Sequence, residues 1–160
     1  MTTRSGIGFD VHPLVEGRAL VLGGVTIPYA RGLAGHSDGD GLIHAIIDAM
    51  LGAAALGDIG THFAPGDARY KGIASSELLT ATISLLRGKR WRVTFVDATI
   101  IAERPILRPH IGDLRRTLAA ILHLDVDCVS VKATTTDGLG FVGRGEGIGT
   151  LAIATIERIA

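Results

Sequence analysis

The single cysteine, Cys128, rules out an internal disulfide and fits a reducing compartment. Aromatic residues make up only 4% of the chain, so its core must be aliphatic and alanine-rich. Neither sign of charge is in excess, with 16 Lys and Arg against 16 Asp and Glu. Nucleic acid and anionic membranes therefore find no electrostatic footprint. No uninterrupted apolar run reaches the roughly 18 residues of a membrane span, because His44 and Asp48 cut the longest candidate. The start, MTTRSGIGFD, carries neither an apolar signal core nor an Arg/Ser-rich transit segment, and a cytoplasmic protein is expected. Linkers, low-complexity tracts and internal repeats are absent, so residues 1–160 read as one domain.

What is abundant is aliphatic surface. Hydrophobic residues reach 47% and mean hydropathy is +0.38, which suits a chain that buries part of its surface in an oligomer. A strand is expected over Arg4–Val11, then a hairpin of Ala19–Leu22 and Val25–Tyr29 turned at Gly23-Gly24. Asp40 is placed to N-cap a helix ending near Leu56-Gly57, and Ser75 or Ser76 to cap a second running to about Gly88. Residues 60–72 read as loop. Strands follow at Val93–Ala102, Val129–Thr136 and Ile148–Ile159, with a helix over Ile111–Leu122. Cys128 falls in the apolar alternation of one strand and reads as core packing. Arg87–Arg92 reads as a helix end and Arg115-Arg116 as a solvated helix face.

This order predicts an α+β fold, a two-layer sandwich of about four long strands in a mixed sheet, with three helices on one face and a small β-hairpin. Strand Val93–Ala102 is apolar on both sides: Val93, Phe95 and Ile101 on one, Val96, Ala98 and Ile100 on the other. Helices confined to one face leave the second to another subunit or a ligand.

Chemistry concentrates in Gly35–Asp58 and in Phe9-Asp10-Val11-His12. His44 and Asp48 lie one turn apart on a single helical stripe. A lone helical histidine is more often a hydrogen-bonded core residue. An Asp one turn away changes the balance, since metal-bound imidazoles commonly donate their other N–H to a carboxylate. Asp10 and His12 alternate on a strand and point to one side. With His44 they make a ligand set that leaves a tetrahedral zinc one open position, the mark of a catalytic site. In His36-Ser37-Asp38-Gly39-Asp40 the helix start can receive a phosphate, and its carboxylates make most sense near a cation. Thr134-Thr135-Thr136 offers hydroxyls and N–H groups to phosphate oxygens, and Asp137 an oxygen to a hard cation. No Gly-Lys-Ser/Thr signature marks a Walker-type nucleotidase, and Gly6-x-Gly8 is too little of a dinucleotide fingerprint to weigh.

Together, GFDVH, HSDGD, HAIIDAMLGAAALGDIG, DATIIAERP, PH and KATTTDGLGFVGRGEGI, in that order from Gly8 to Ile148, resemble the 2-C-methyl-D-erythritol 2,4-cyclodiphosphate synthases of the non-mevalonate isoprenoid pathway. The resemblance implies Zn²⁺ on Asp10, His12 and His44, and a second ion, Mg²⁺ or Mn²⁺, on Asp137. It implies substrate contacts at Asp10, His12, His36, Ser37, Asp58, Ile59 and Gly60. It places the cytidine diphosphate among Ala102, Glu103, Arg104, Pro105, Ile106, Leu107, Ala133, Thr134, Thr135, Thr136 and Asp137, with Phe141 and Arg144 also at the substrate. His36 and Thr135 match positions that stabilise the transition state, and Arg144 with Glu146 lies near a central cavity that in relatives can hold isoprenoid diphosphates. A homotrimer with active sites between subunits is implied as well.

Three features depart from the family pattern. Asp137 stands where Glu is usual, Ile106 where Lys is common, and Ala64-Pro65-Gly66 replaces a Pro-rich or Asp-containing loop. The implied reaction is intramolecular phosphoryl transfer with loss of CMP, in which the nucleophile is already an anion. The rivals are a metal-dependent phosphohydrolase, for which Asp48 is the obvious base, and a non-catalytic nucleotide- or isoprenoid-diphosphate-binding protein.

Overall fold

A computed structural model describes residues 2–160. Strand β1 (Thr3–Glu16) pairs antiparallel with β7 (Gly147–Arg158), from Thr3 opposite Glu157 to Pro13 opposite Gly147. β7 pairs antiparallel with β5 (Trp91–Ile101), and β5 parallel with β6 (Val129–Thr134). A short strand, β4 (Arg31–Leu33), adds to the far edge of β1, giving the order β4-β1-β7-β5-β6. β2 (Leu20–Leu22) and β3 (Val25–Ile27) form the separate hairpin. The α+β architecture with a mixed sheet is as expected; the edge strand β4 was not, being too short to leave a periodic signal.

Helices α1 (Gly41–Ala53), α3 (Ser75–Gly88) and α4 (Ile111–Leu122) cover one face. α1 is the buried centre: only Asp48 and Gly52 escape burial along its length. Its first turn is organised by Asp40, which accepts from Ile43 N–H at 3.0 Å and from the hairpin turn at Gly23 (2.9 Å) and Gly24 (2.7 Å). One carboxylate thus starts the helix and pins β2–β3 to it. The Gly6-x-Gly8 pair has a packing role, since a Cβ on Gly6 would lie 2.2 Å from the Ala49 carbonyl oxygen.

Several details correct the sequence reading. The β5 alternation shifts at a bulge between Val93 and Phe95. Trp91 and Val93 therefore share the buried face with Val96, Ala98 and Ile100. Ser75 is not a cap: it is the first residue of α3, and the N-cap, Ala74, makes no side-chain bond. Residues 60–72 are not pure loop, for α2 (Ile59–His62) and a 3-10 turn at Ala68–Tyr70 lie there. A further short helix, α5 (Gly140–Gly143), precedes β7. Cys128 ends a 3-10 turn and is only half-buried. Arg115 is not a free surface cation, as its guanidinium donates to Val129 O at 2.7 Å and Val126 O at 3.0 Å, tying α4 to β6.

The other face of the sheet is open in the single chain. Ile7, Phe9 and Val11 of β1 are 66%, 59% and 39% exposed, and cross-strand neighbours Ile153 and Leu151 of β7 continue the apolar patch. Among the described residues no helix is long and apolar enough to cross a membrane.

Candidate metal centre and substrate cavities

Asp10 and His12, two apart on β1, turn toward α1, where His44 sits one turn from the N-terminus. Asp10 Oδ2 lies 2.6 Å from His12 Nδ1 and 3.7 Å from His44 Nδ1. Close approach of the two elements makes this possible. A Cβ on Gly41 would stand 2.9 Å from Asp10 Oδ2 and 3.6 Å from His12 Nδ1. Burial raises the Asp10 carboxyl, but the His12 and His44 rings beside it outweigh burial and hold it at about 2. Burial works against the charged form of His44 too, and Asp10 beside it again wins, raising its pKa.

Despite their 2.6 Å separation, Asp10 Oδ2 and His12 Nδ1 are buried and make no hydrogen bond of acceptable geometry. Orphaned, converging buried ligand atoms call for a cation between them. Asp10, His12 and His44 each offer one such atom, all within 4.8 Å of one another. One carboxylate oxygen and two imidazole nitrogens suit a divalent transition metal.

His44 Nε2 points away from this cluster, to Ser75 Oγ at 2.9 Å and Ser37 Oγ at 3.1 Å. The hydrogen bond expected from the His44 ring N–H to Asp48 is not formed. Asp48 Oδ1 instead accepts from Ile59 N–H at 2.7 Å, with burial pushing its carboxyl up against that bond. Asp48 therefore anchors the segment at the head of α2, which Asp58 caps through Thr61 N–H at 2.9 Å. Asp38 and Asp40 likewise serve backbone and side-chain donors rather than a cation.

Beside the cluster opens a cavity of about 220 Å³ lined by His12, His36, Ser37, His44, Ile59 and Gly60. The fold thus brings together these expected residues, and adds Phe63, Pro65, Tyr70 and Leu78 to the lining. Phe63 and Tyr70 meet edge to face at 5.6 Å. Two aromatics close together in a chain so poor in them were the available signal. The exposed His36 ring is held by the Asp67 carbonyl, which accepts from Nε2 at 2.8 Å.

A second cavity, about 180 Å³, lies beyond the C-terminal ends of β5 and β6. Ala102, Glu103, Pro105, Ile106, Leu107, Ala133, Thr134 and Thr135 line it, joined by Arg108. Arg104 and Thr136 belong to the same loops without lining it. Glu103 shapes the rim: its Oε1 accepts from Thr136 N–H (2.9 Å), Thr136 Oγ1 (3.1 Å) and Gly138 N–H (3.2 Å). Those donors hold its carboxyl below the usual range. Between Thr136 and Gly138, Asp137 is exposed in the left-handed region at φ 53°, its N–H 3.2 Å from Thr135 Oγ1. Asp137 is no part of the Asp10 cluster. Phe141 lies on α5 and Arg144 at its C-cap, where Arg144 pairs with Glu146 at 2.7 Å. The two cavities have no lining residue in common.

The chain is 58% identical over 153 residues, 96% of its own length and 98% of the relative's, to a protein of Alkaliphilus oremlandii (strain OhILAs) named 2-C-methyl-D-erythritol 2,4-cyclodiphosphate synthase. Among solved structures it is similar to the bifunctional IspDF from Campylobacter jejuni, with TM-score 0.95 and 39% identity over 99% of this chain and 43% of that one. It is also similar to a CDP-bound form of 2C-methyl-D-erythritol-2,4-cyclodiphosphate synthase, with TM-score 0.88 and 33% identity over 96% of this chain and 100% of that one. The YgbB family pattern matches residues 3–157, and the chain belongs to the YgbB family.

Proposed function

We propose that this chain is a lyase of isoprenoid precursor biosynthesis, converting 4-diphosphocytidyl-2-C-methyl-D-erythritol 2-phosphate to 2-C-methyl-D-erythritol 2,4-cyclodiphosphate with release of CMP. The observation that carries this reading is the convergence of Asp10, His12 and His44 beside the His36–Ser37 cavity, in a chain whose relatives bear that activity as their name. An oxygen of the 2-phosphate bonds to the β-phosphorus. The bond from that phosphorus to the bridging oxygen breaks, and its electron pair leaves with CMP. Because the nucleophile is an anion, the chain needs no strong base; it must orient the two phosphates and exclude water.

We assign Asp10, His12 and His44 to Zn²⁺, which when bound supplies a Lewis acid for a phosphate oxygen. Asp137 is assigned to a second divalent ion, Mg²⁺ or Mn²⁺, although its side chain is a methylene shorter than the usual Glu. His36 is assigned to stabilising the transition state at the phosphates, its ring oriented by the Asp67 carbonyl. The Thr135 hydroxyl, whose Oγ1 lies 3.3 Å from Asp137 Oδ1, is assigned to the departing group. Ser37, Asp58, Ile59 and Gly60 bind the methylerythritol part, and the cavity of Ala102–Leu107 and Ala133–Thr136 takes the cytidine diphosphate; a similar solved structure is of a CDP-bound form. Phe141 and Arg144 complete the substrate site.

Disjoint cavities and an open apolar sheet face favour a homotrimer in which the metal centre of one chain adjoins the nucleotide cavity of the next. A cytoplasmic location is proposed on the same footing as the single thiol. The phosphohydrolase reading loses ground because Asp48, its candidate base, accepts from Ile59 N–H. ³¹P NMR of the protein with substrate, Zn²⁺ and Mg²⁺ tests the proposal: paired cyclic-diphosphate resonances growing with CMP are expected. CMP with only linear phosphates would overturn it in favour of hydrolysis, and absence of turnover in favour of binding alone.

A further inference from the structure

Behind the metal-binding face of His44 lies a buried chain of hydrogen bonds that settles which ring nitrogen carries the proton. Ser75 Oγ is 2.5 Å from Asp38 Oδ1 and 2.9 Å from His44 Nε2. A carboxylate can only accept, so the one hydroxyl hydrogen of Ser75 goes to Asp38. What remains on Ser75 Oγ facing His44 is a lone pair. His44 Nε2 must then be the N–H donor, which leaves the Nδ1 lone pair free on the side of Asp10 Oδ2. Ser37 Oγ, at 3.1 Å, is a second acceptor for the same N–H.

Nothing in this chain is loose. Asp38 is fixed by the Ser75 N–H at 3.0 Å on Oδ2 and the Asp40 N–H at 3.1 Å on Oδ1. Ser75 is fully buried at the start of α3, and Ser37 and His44 are nearly so. In such surroundings the wrong tautomer would set two lone pairs, or two hydrogens, against each other.

The geometry points to Asp38 and Ser75 as positioning residues that hold His44 as its Nε2–H tautomer, so that its Nδ1 lone pair is preset for a divalent metal. This rests on the reading of Asp10, His12 and His44 as a metal centre. The carboxylate at the far end also makes the imidazole more basic, through one intervening hydroxyl. It gives Asp38 a part in metal binding without any contact to the ion, and it connects α3 to the centre.

Two readouts on the full-length protein test this. One is the Zn²⁺ dissociation constant from competition with a chromophoric chelator. The other is long-range ¹H–¹⁵N correlation of the His44 ring in metal-free protein, at a pH where the ring is neutral. Wild type is expected to show Nε2–H. Ser75→Ala and Asp38→Asn are expected to weaken Zn²⁺ binding about 10–100-fold, with the His44 proton redistributed toward Nδ1. Asp38→Asn leaves the buried Ser75 side chain in place, so it carries the test if Ser75→Ala does not fold. Folded variants that keep wild-type affinity and the Nε2–H signature would overturn the proposal. Should wild type bind Zn²⁺ no better than Asp10→Ala, the metal-centre reading fails, and the ring spectra alone decide the relay.

Discussion

Gly8 and Ala45 bring β1 and α1 together backbone to backbone: a Cβ on Gly8 would lie 1.9 Å from the Ala45 carbonyl oxygen. No rotamer relieves that clash, because the obstructing atom is main chain. Gly8→Ala is expected to destabilise the fold by about 1–3 kcal/mol or more, and to weaken metal binding by moving Asp10 away from His44. Urea unfolding and a Zn²⁺ titration would measure the two effects.

Asp40 serves donors from two elements at once, so its loss should uncouple them. Asp40→Ala leaves the N–H groups of Gly23 and Ile43 buried without a partner. The expected loss is about 2–5 kcal/mol, read as a lowered thermal midpoint.

The metal itself should be worth measurable stability. Zn²⁺ at about 100 times its Kd is expected to stabilise wild type by roughly 2.7 kcal/mol, and chelation to remove that gain. In Asp10→Ala the added ion should leave the unfolding midpoint unmoved, and turnover should fall about 10³-fold or more.

Arg69 hydrogen-bonds the Asp67 carboxylate and holds it at about 2, below its ordinary 3.8. The folded carboxyl binds its proton less tightly than the unfolded one. The pair therefore contributes stability above pH 3.8 and loses it as pH falls toward 2. A ¹³C titration of Asp67 should show the low midpoint, and Arg69→Ala should return it toward 3.8.

Phe9, 59% exposed at the centre of the open sheet face, is the residue to charge. Phe9→Glu is expected to yield a folded monomer in sedimentation and to abolish turnover, although neither cavity contains the substituted side chain. An active monomer would remove the case for a site shared between chains.

Much of the site could be read from the sequence because its logic is local. Asp10 and His12 share a side by strand alternation, and His44 falls on the stripe of a helix whose cap, Asp40, is legible. The partner of His44 was not legible. Asp48, one turn away, is the nearest carboxylate in sequence, yet the ring turns to Ser75 on another helix, and no periodicity encodes which helices meet. Local reasoning also put Val93 on the wrong face of β5, since one bulged residue near Thr94 shifts the alternation there. Glu103 was expected at the nucleotide, but its role at the rim was not legible for a related reason: its carboxylate is spent on the backbone of a loop that follows a different strand.

The two cavities without a common lining residue have a genetic consequence. If each working site borrows one half from each of two neighbouring chains, a chain crippled at Asp10 and another crippled at Thr135 carry complementary defects. Mixed in one assembly, they would regenerate some wholly intact sites from two inactive parents. Lesions in this protein would then sort into two classes, with rescue between the classes and none within them.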